Sequence, residues 1–320
     1  MWKGSCNPGQ LTPKGALQHR QLGAALRRIY VDELGFLSKS FHPERTYIRS
    51  TDLWRTRQSA ENLMVGLYGS QKHGLWGSPI PPLFTIHTLP TEIDYLTMNG
   101  EACPRIQQLR AAAEKASPVL KRLHEEEAEF EEELQGILGA KRTWSGYMDT
   151  VLPRVCHGIP LQCRATEAGA RPHCITMNMA DRILKNVATQ SAEVYRDMTG
   201  MFEILQLGMG PLAKDIRKNL LNAQNEDDLK FKLYSGHDTT LAPLLGLLDG
   251  ADMRWPPYAS NLLIELWSSH GEYFVRVIYN QEFVKTQSDW CDLEWCPLDK
   301  FVAYLGKFVL DDLTEKCLKK

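Results

Sequence analysis

Two short polar strings stand out for the chemistry their side chains could do together. One is Tyr47-Ile48-Arg49-Ser50-Thr51-Asp52, with Arg55 three residues further on. The other is Leu233-Tyr234-Ser235-Gly236-His237-Asp238-Thr239-Thr240. Each follows a short apolar run and precedes a helical pattern, so charged groups fall where a strand ends and a helix begins. A helix start offers unpaired N–H groups and the positive end of a dipole, which suits an anion. Arg49 would add a planar fork able to grip phosphate through two contacts. His237, when charged, would add a further donor, and Asp238 is placed to protonate a leaving oxygen. Arginine, histidine and aspartate converging on one crevice supply positioning and charge stabilisation, which are the needs of phosphoryl transfer.

Taken singly, each string has a plainer meaning. Ser50, Thr51 or Asp52 could simply cap the next helix, and Asp238 or Thr239 could do the same beside a hydrogen-bonded structural His237. Only their joint presence, each at a strand end, points to a shared site.

The elements around them follow from periodicity. Thr12 caps a helix with Pro13 at its first position, and Leu17, Leu22, Leu26 and Ile29 recur at near-helical spacing over residues 11–33. Thr46-Tyr47-Ile48 reads as a buried strand, followed by a helix whose apolar side holds Ala60, Leu63, Met64 and Leu67. A second strand is expected at Leu83–His87, and a third at Leu229–Tyr234, running into the His237 string. Helices are expected over 192–207 and 211–221, and another carries Leu241, Leu244, Leu245 and Leu248. Leu262–Trp267 and Tyr273–Tyr279 read as a hairpin closed by Ser268-Ser269-His270-Gly271, and Cys296-Pro297-Leu298 opens a closing helix. Between them, residues 91–190 change texture to long charged helical stretches, with Glu125–Glu127 and Glu131–Glu133 as solvated faces. Alternating strands and helices at both ends imply an α/β fold: a parallel-rich sheet sandwiched by helices, formed by 1–90 with 191–320. A helical cap is inserted over 91–190. Ligands in such sheets sit beyond the carboxyl ends of the strands.

In this order and spacing, the two strings resemble the histidine acid phosphatase family, in the branched histidine phosphatase superfamily. The likeness extends to Gly9-Gln10-Leu11-Thr12-Pro13, Arg55-Thr56, Ser59-Ala60, Trp255-Pro256-Pro257-Tyr258-Ala259, the two hairpin strands and Cys296-Pro297-Leu298. It is looser in the middle and most similar to the lysophosphatidic acid and phosphoxylose phosphatase branch. The resemblance implies a phosphoglycerate-mutase-like sheet and hydrolysis of phosphate monoesters through a phosphohistidine intermediate. It implies no metal or other cofactor, and a small phosphorylated substrate such as a lysophospholipid or sugar phosphate. Arg49 and His237 take phosphate-binding positions, and Asp238 that of the proton donor, with a cationic His237 lowering the Asp238 pKa.

One part of the pattern is missing. The family's nucleophile lies in an Arg-His-Gly-x-Arg-x-Pro signature at the end of its first strand, ahead of the Gly-Gln-Leu-Thr stretch. The His-Gly pairs here are His73-Gly74, His157-Gly158 and His270-Gly271, and none follows an arginine. No nucleophile is identifiable, and the first strand is expected to be missing. Three expectations follow: a fragment of a longer active enzyme, a non-catalytic phosphate-binding or scaffold protein of the same fold, or attack by another of the nine histidines. The first is preferred, because the first strand of a doubly wound sheet is usually central and its loss leaves two costly unpaired edges.

Composition narrows the partners. Thirty-seven basic and 39 acidic residues give a net charge of −2, so no nucleic-acid partner is expected. No apolar run reaches membrane-spanning length, and no signal peptide opens the sequence. The family nevertheless implies a secretory or lysosomal-type compartment. Eight cysteines without paired C-x-x-C units also favour oxidation over zinc. Cys291 and Cys296 suit a local disulfide. A metal group built from Cys156, Cys163 and Cys174 with His157 and His173 is the lesser alternative. The absence of an Asn-x-Ser/Thr sequon predicts no N-glycan.

Overall fold

The structure, a computed structural model, describes residues 9–69, 83–98, 100–164, 172–224 and 228–318. Cys6 and the His73-Gly74 pair lie outside them. Helix α1 (Pro13–Arg27) starts where Thr12 accepts a hydrogen bond from the Gly15 N–H, and continues as a π-helical turn through Glu33. It packs along α2 (Trp54–Tyr68) at the close range that paired glycines permit. A Cβ on Gly23 would lie 2.0 Å from the Leu63 carbonyl oxygen, and one on Gly66 would lie 2.2 Å from that of Arg20. Between these helices runs β1 (Thr46–Ser50), with β2 (Ile86–His87) on one edge. The strand expected over Leu83–His87 is thus reduced to two residues.

The cap region holds α3 (Pro104–Ala116), α4 (Pro118–Glu126), α5 (Ala128–Leu138) and α6 (Trp144–His157). The two-residue strands β3 (Cys163–Arg164) and β4 (His173–Cys174) follow, and then α7 (Met177–Ala192). Helix α8 (Met201–Gln224) then runs unbroken where two helices were expected. Pro211 sits inside it, because buried Leu207, Met209, Leu212 and Ala213 hold both sides in one packed surface. Strand β5 (Phe231–Ser235) pairs in parallel with β1, Arg49 opposite Tyr234 and Ser50 opposite Ser235. After α9 (Asp238–Leu247), β6 (Leu262–Ser269) and β7 (Glu272–Tyr279) form the expected hairpin. It is extended by β8 (Glu282–Phe283) and β9 (Cys296–Pro297), and α10 (Leu298–Gly306) and α11 (Leu313–Leu318) close the chain.

The mixed α/β architecture agrees with expectation, but among the described residues the sheet is divided. One parallel sheet has the order β2-β1-β5, and a separate antiparallel sheet is built on β6-β7. Three apolar clusters fill the molecule. The first joins α1, β1 and α2; the second spans residues 130–187; the largest surrounds α8, α9, α10 and the β6-β7 sheet. Leu96, Met98, Cys103 and Ile106 belong to the largest cluster. The first stretch of the block expected as cap therefore packs with the α/β core, tied there by a Cys103–Cys317 disulfide between α3's N-terminus and α11.

Cys291–Cys296 form the expected local disulfide, and Cys163–Cys174 a further one across β3 and β4. That pairing takes two of the three cysteines considered for a metal group, and Cys156 keeps a free thiol. The described residues contain no cluster of three or more metal-ligating side chains. No described helix is long and apolar enough to cross a membrane.

Cys103 and Cys317 stand 214 residues apart in sequence, so their bond removes a large loop entropy from the unfolded chain. Replacing both with alanine is expected to cost roughly 3–5 kcal/mol. Thermal denaturation followed by circular dichroism measures it; an unchanged midpoint would show that the link carries no stability.

Candidate active site

The register of β1 on β5 brings the two polar strings together. Beyond the last pair, the Thr51 N–H still bonds to the Ser235 carbonyl at 3.1 Å, so the chains leave the sheet side by side. The Thr51 hydroxyl then sits 3.0 Å from His237 Nε2 and 2.8 Å from the Thr56 hydroxyl. Thr56 has one proton, and its oxygen lies 3.0 Å from the Thr51 carbonyl and 2.9 Å from that of Leu53. With that proton given to a carbonyl, Thr51 must donate to Thr56 and accept from an Nε2–H of His237. The neutral histidine therefore keeps its proton on Nε2, and a second proton would have to enter at Nδ1.

His237 is the N-cap residue of α9, in extended conformation, and its backbone N–H bonds to the Thr240 hydroxyl at 2.9 Å. Gly236 is needed for that geometry: a Cβ there would stand 2.5 Å from the Thr240 hydroxyl oxygen. Asp238 follows in the first turn, exposed, accepting from the Thr239 N–H at 2.8 Å and from the Trp255 indole at 3.0 Å. None of Ser50, Thr51 or Asp52 caps α2; the capping position is Leu53, and the Thr51 hydroxyl is spent on His237 instead.

These groups face a cavity of about 1230 Å³, whose wall includes Arg55, Thr56, His237, Asp238, Trp255 and Tyr258. Arg49 is not on that wall. Its side chain is 3% exposed, paired with the buried Asp94 carboxylate and stacked 4.0 Å from the Tyr95 ring. Its partner Asp94 still acts on the charge of His237, so Arg49 lies in the layer just behind the crevice. Arg55, in the first turn of α2, lies on the same cavity wall as His237 and Asp238. The signal for it was present, because a side chain in the first helical turn after a strand points to the ligand end of the sheet.

The electrostatics follow from these neighbours. Burial pushes the His237 pKa below its ordinary value, the Arg55 charge pushes it the same way, and Asp238 and Asp94 oppose both. The expectation of a cationic His237 beside Asp238 thus gives way near neutral pH to a neutral imidazole, with Arg55 as the adjacent cation. Two residues that sequence reading missed complete the mouth. Asp149 of α6 is pushed up by burial and by the nearby Asp238 charge. The Tyr258 phenol is pushed up to about 12, by burial first and then by Asp149, Cys156 and Asp238. The cap is fastened here: Lys14 donates to the Cys156 carbonyl, and the Thr12 hydroxyl lies 3.4 Å from His157 Nε2. His19 and His157 also line the cavity.

An α/β fold with arginine, histidine and aspartate at adjoining strand ends defines a phosphate-handling class of site. The chain belongs to the histidine phosphatase superfamily, branch 2, whose family model matches residues 2–280. Human prostatic acid phosphatase is 31% identical over 327 residues, covering 97% of this chain and 79% of that protein. Human lysophosphatidic acid phosphatase type 6 is 29% identical over 315 residues, covering 96% and 68%. Among solved structures, the apo phytase of Hafnia alvei superposes with a TM-score of 0.64 at 16% identity, covering all of this chain and 91% of that one. Hydrolysis of phosphate monoesters is the chemistry of this family.

The lowered His237 pKa has a definite stability consequence. The unfolded chain takes up its proton at pH 6.5, before the folded one does. The stability held in neutral His237 is therefore complete above pH 6.5 and is lost as pH falls from there through the folded pKa. The ring resonances of His237 are expected to titrate below 6.5 in ¹H–¹³C NMR, and His237→Gln is expected to flatten the acid side of the stability curve. A His237 titration at or above 6.5 would refute the assignment.

Proposed function

We propose that this crevice is the phosphate seat of a phosphomonoesterase, in which Arg55 and His237 hold the phosphoryl group and Asp238 protonates the departing alcohol. The observation that carries the reading is the juxtaposition of Arg55, His237 and Asp238 on one cavity wall at the carboxyl ends of two parallel strands. Arg49, expected from sequence in the phosphate-binding role, supports the seat from behind through Asp94, whose carboxylate also accepts the Leu96 N–H at 2.9 Å.

The chemistry divides by residue. Arg55 offers a permanent cation and a donor fork to the phosphoryl oxygens. His237, with Nε2–H committed to Thr51, can donate from Nδ1 only after gaining a proton. Phosphate binding through it therefore strengthens on acidification, which suits an acid-pH enzyme. Asp238 is exposed and beside Trp255, where its carboxyl can meet a leaving oxygen. The covalent route of the family needs a histidine to attack phosphorus, forming a P–N bond as the P–O bond to the alcohol breaks and Asp238 supplies the alcohol's proton. Water then cleaves the phosphohistidine. The family's signature for that histidine does not occur in residues 1–320. The described groups thus account for binding and leaving-group protonation. The substrate is a small phosphorylated molecule; Asp149 of the cap and Tyr258, between α9 and β6, place acidic and phenolic groups toward the ester's alcohol side.

Sulfate keeps its charge over the relevant pH range, so its binding isolates the protein's titration. Calorimetry is expected to show sulfate binding that tightens as pH falls below 6.5 and weakens about 10- to 100-fold in Arg55→Ala. Arg49→Ala is expected instead to lower stability by about 3–5 kcal/mol, through the unpaired Asp94, with a smaller loss of affinity. In Asp238→Ala, sulfate still binds, while any turnover of p-nitrophenyl phosphate falls. Unchanged sulfate affinity in Arg55→Ala would overturn the seat.

A further inference from the structure

The carboxyl of Asp238 must meet a leaving oxygen, yet this side chain is exposed at the start of α9, where a free rotor would sweep several directions. Two donors restrain it, one on each oxygen. The Thr239 N–H meets Oδ1 at 2.8 Å, and the Trp255 indole N–H meets Oδ2 at 3.0 Å. The first bond is local to the helix turn. The second reaches across from a separate segment, between α9 and β6. Asp149 of α6 stands near enough to feel the Asp238 charge. Like charges at that range push the two carboxylates apart, so the indole holds Asp238 against repulsion as well as rotation.

Trp255 is itself confined. Among the described residues it alone packs against both the largest core cluster and the cap cluster of residues 130–187. Its ring lies 6.3 Å from that of Tyr195, at an interplanar angle of 45°. Tyr195 is buried, and its backbone is pressed onto the helix that carries the acid. A Cβ on Gly246 of α9 would stand 1.8 Å from the Tyr195 carbonyl oxygen. The chain at Trp255 is restricted too, because Pro256 follows and favours extended conformations before it. An indole has one donor and no acceptor, and here that donor goes to a side-chain carboxylate rather than to a backbone carbonyl.

We propose that Trp255 is the positioning residue of the proton donor, and that it transmits the seating of the cap to Asp238. The inference rests on Asp238 protonating the departing alcohol and names what aims its carboxyl. The indole's one donor is spent on Oδ2, so its polar effect on the ester passes through Asp238. With Oδ2 held by Trp255 and Oδ1 by the turn of α9, the carboxyl plane is fixed. Each oxygen keeps a further lone pair, on which the catalytic proton can ride toward the leaving group. Support of this kind, from a neighbour that is itself locked by packing, is what holds an acid in productive geometry. A shift of the cap would move the ring, and the ring would turn the carboxyl.

The variant that removes the donor and keeps the packing is Trp255→benzothienylalanine, in which sulfur replaces the indole N–H. Trp255→Phe is its genetically encoded counterpart. In selectively labelled protein, the Hα–Hβ couplings of Asp238 are expected to report one rotamer in the native chain and averaging over rotamers in both variants. Sulfate affinity is expected to change by less than about twofold in both, as for an independent site. The native Trp255 indole N–H is expected to exchange with water at least about tenfold more slowly than in Asp238→Ala. Met148 is buried in the cap cluster and lines the cavity, and Met148→Ala is expected to shift the Trp255 indole and Asp238 carboxyl signals together. A single Asp238 rotamer retained in the benzothienylalanine chain would overturn the positioning role. So would a large loss of sulfate affinity in both variants, which would place Trp255 in the phosphate seat instead. Signals unmoved by Met148→Ala would overturn the link to the cap. The phosphate seat is judged apart from these results, by sulfate binding in Arg55→Ala.

Discussion

The parallel pairing of β1 with β5 is the constraint on which everything else hangs. It joins segments 185 residues apart, Thr46 to Phe231 and Ser50 to Ser235, and without it the two polar strings belong to different parts of the chain. Parallel pairing lets both strands leave the sheet at the same end, so Thr51 and His237 emerge within one hydrogen bond of each other. An antiparallel pairing would have sent them to opposite ends. The Thr51–Thr56–His237 chain then converts backbone register into side-chain chemistry. It fixes the imidazole, fixes its tautomer, and starts α2 so that Arg55 faces the same space.

Around that junction the protein invests buried polar groups whose stability must come from their partners. Arg49 and Asp94 form an ion pair beside Tyr95, and among the described residues the Arg49 Nε and Nη1 and one Asp94 oxygen have no partner. Unpaired donors so deep are costly, and they lie directly behind the crevice. The neighbouring Asp215 network is better satisfied. Burial alone would raise the Asp215 carboxyl, but hydrogen bonds from Tyr234 and Lys232, with the Lys232 charge, hold it below its ordinary value. The two networks brace β1 and β5 from the α8 side, so the strand ends that present Thr51 and His237 rest on charged rather than apolar support.

Much of this was legible in the sequence, and the exceptions have physical causes. Strand β5 running into Gly236-His237-Asp238 was readable because Gly236 and the Thr240 hydroxyl are local requirements of one turn. The β6-β7 hairpin was readable from its β-branched and aromatic runs. The burial of Arg49 could not be read, because its partners Asp94 and Tyr95 lie some 45 residues away in sequence and meet it only in the fold. Asp149 could not be found at all, and Tyr258 stood in a matched motif without a role, since both reach the crevice only through the packing of distant segments around it. The boundary of the cap was blurred for a similar reason: Cys103 belongs with Cys317, a pairing that no local pattern announces.

The divided sheet and the phosphate seat are one problem seen from two sides. A crevice at the end of a sheet is closed laterally by the strands on either side of it, and here β5 stands at an edge with Arg55, His237 and Asp238 on its open flank. Arg55, His237 and Asp238 all sit at the starts of α2 and α9. Their proximity therefore follows from the β1–β5 register, which sets Thr51 beside His237 and starts α2 next to α9.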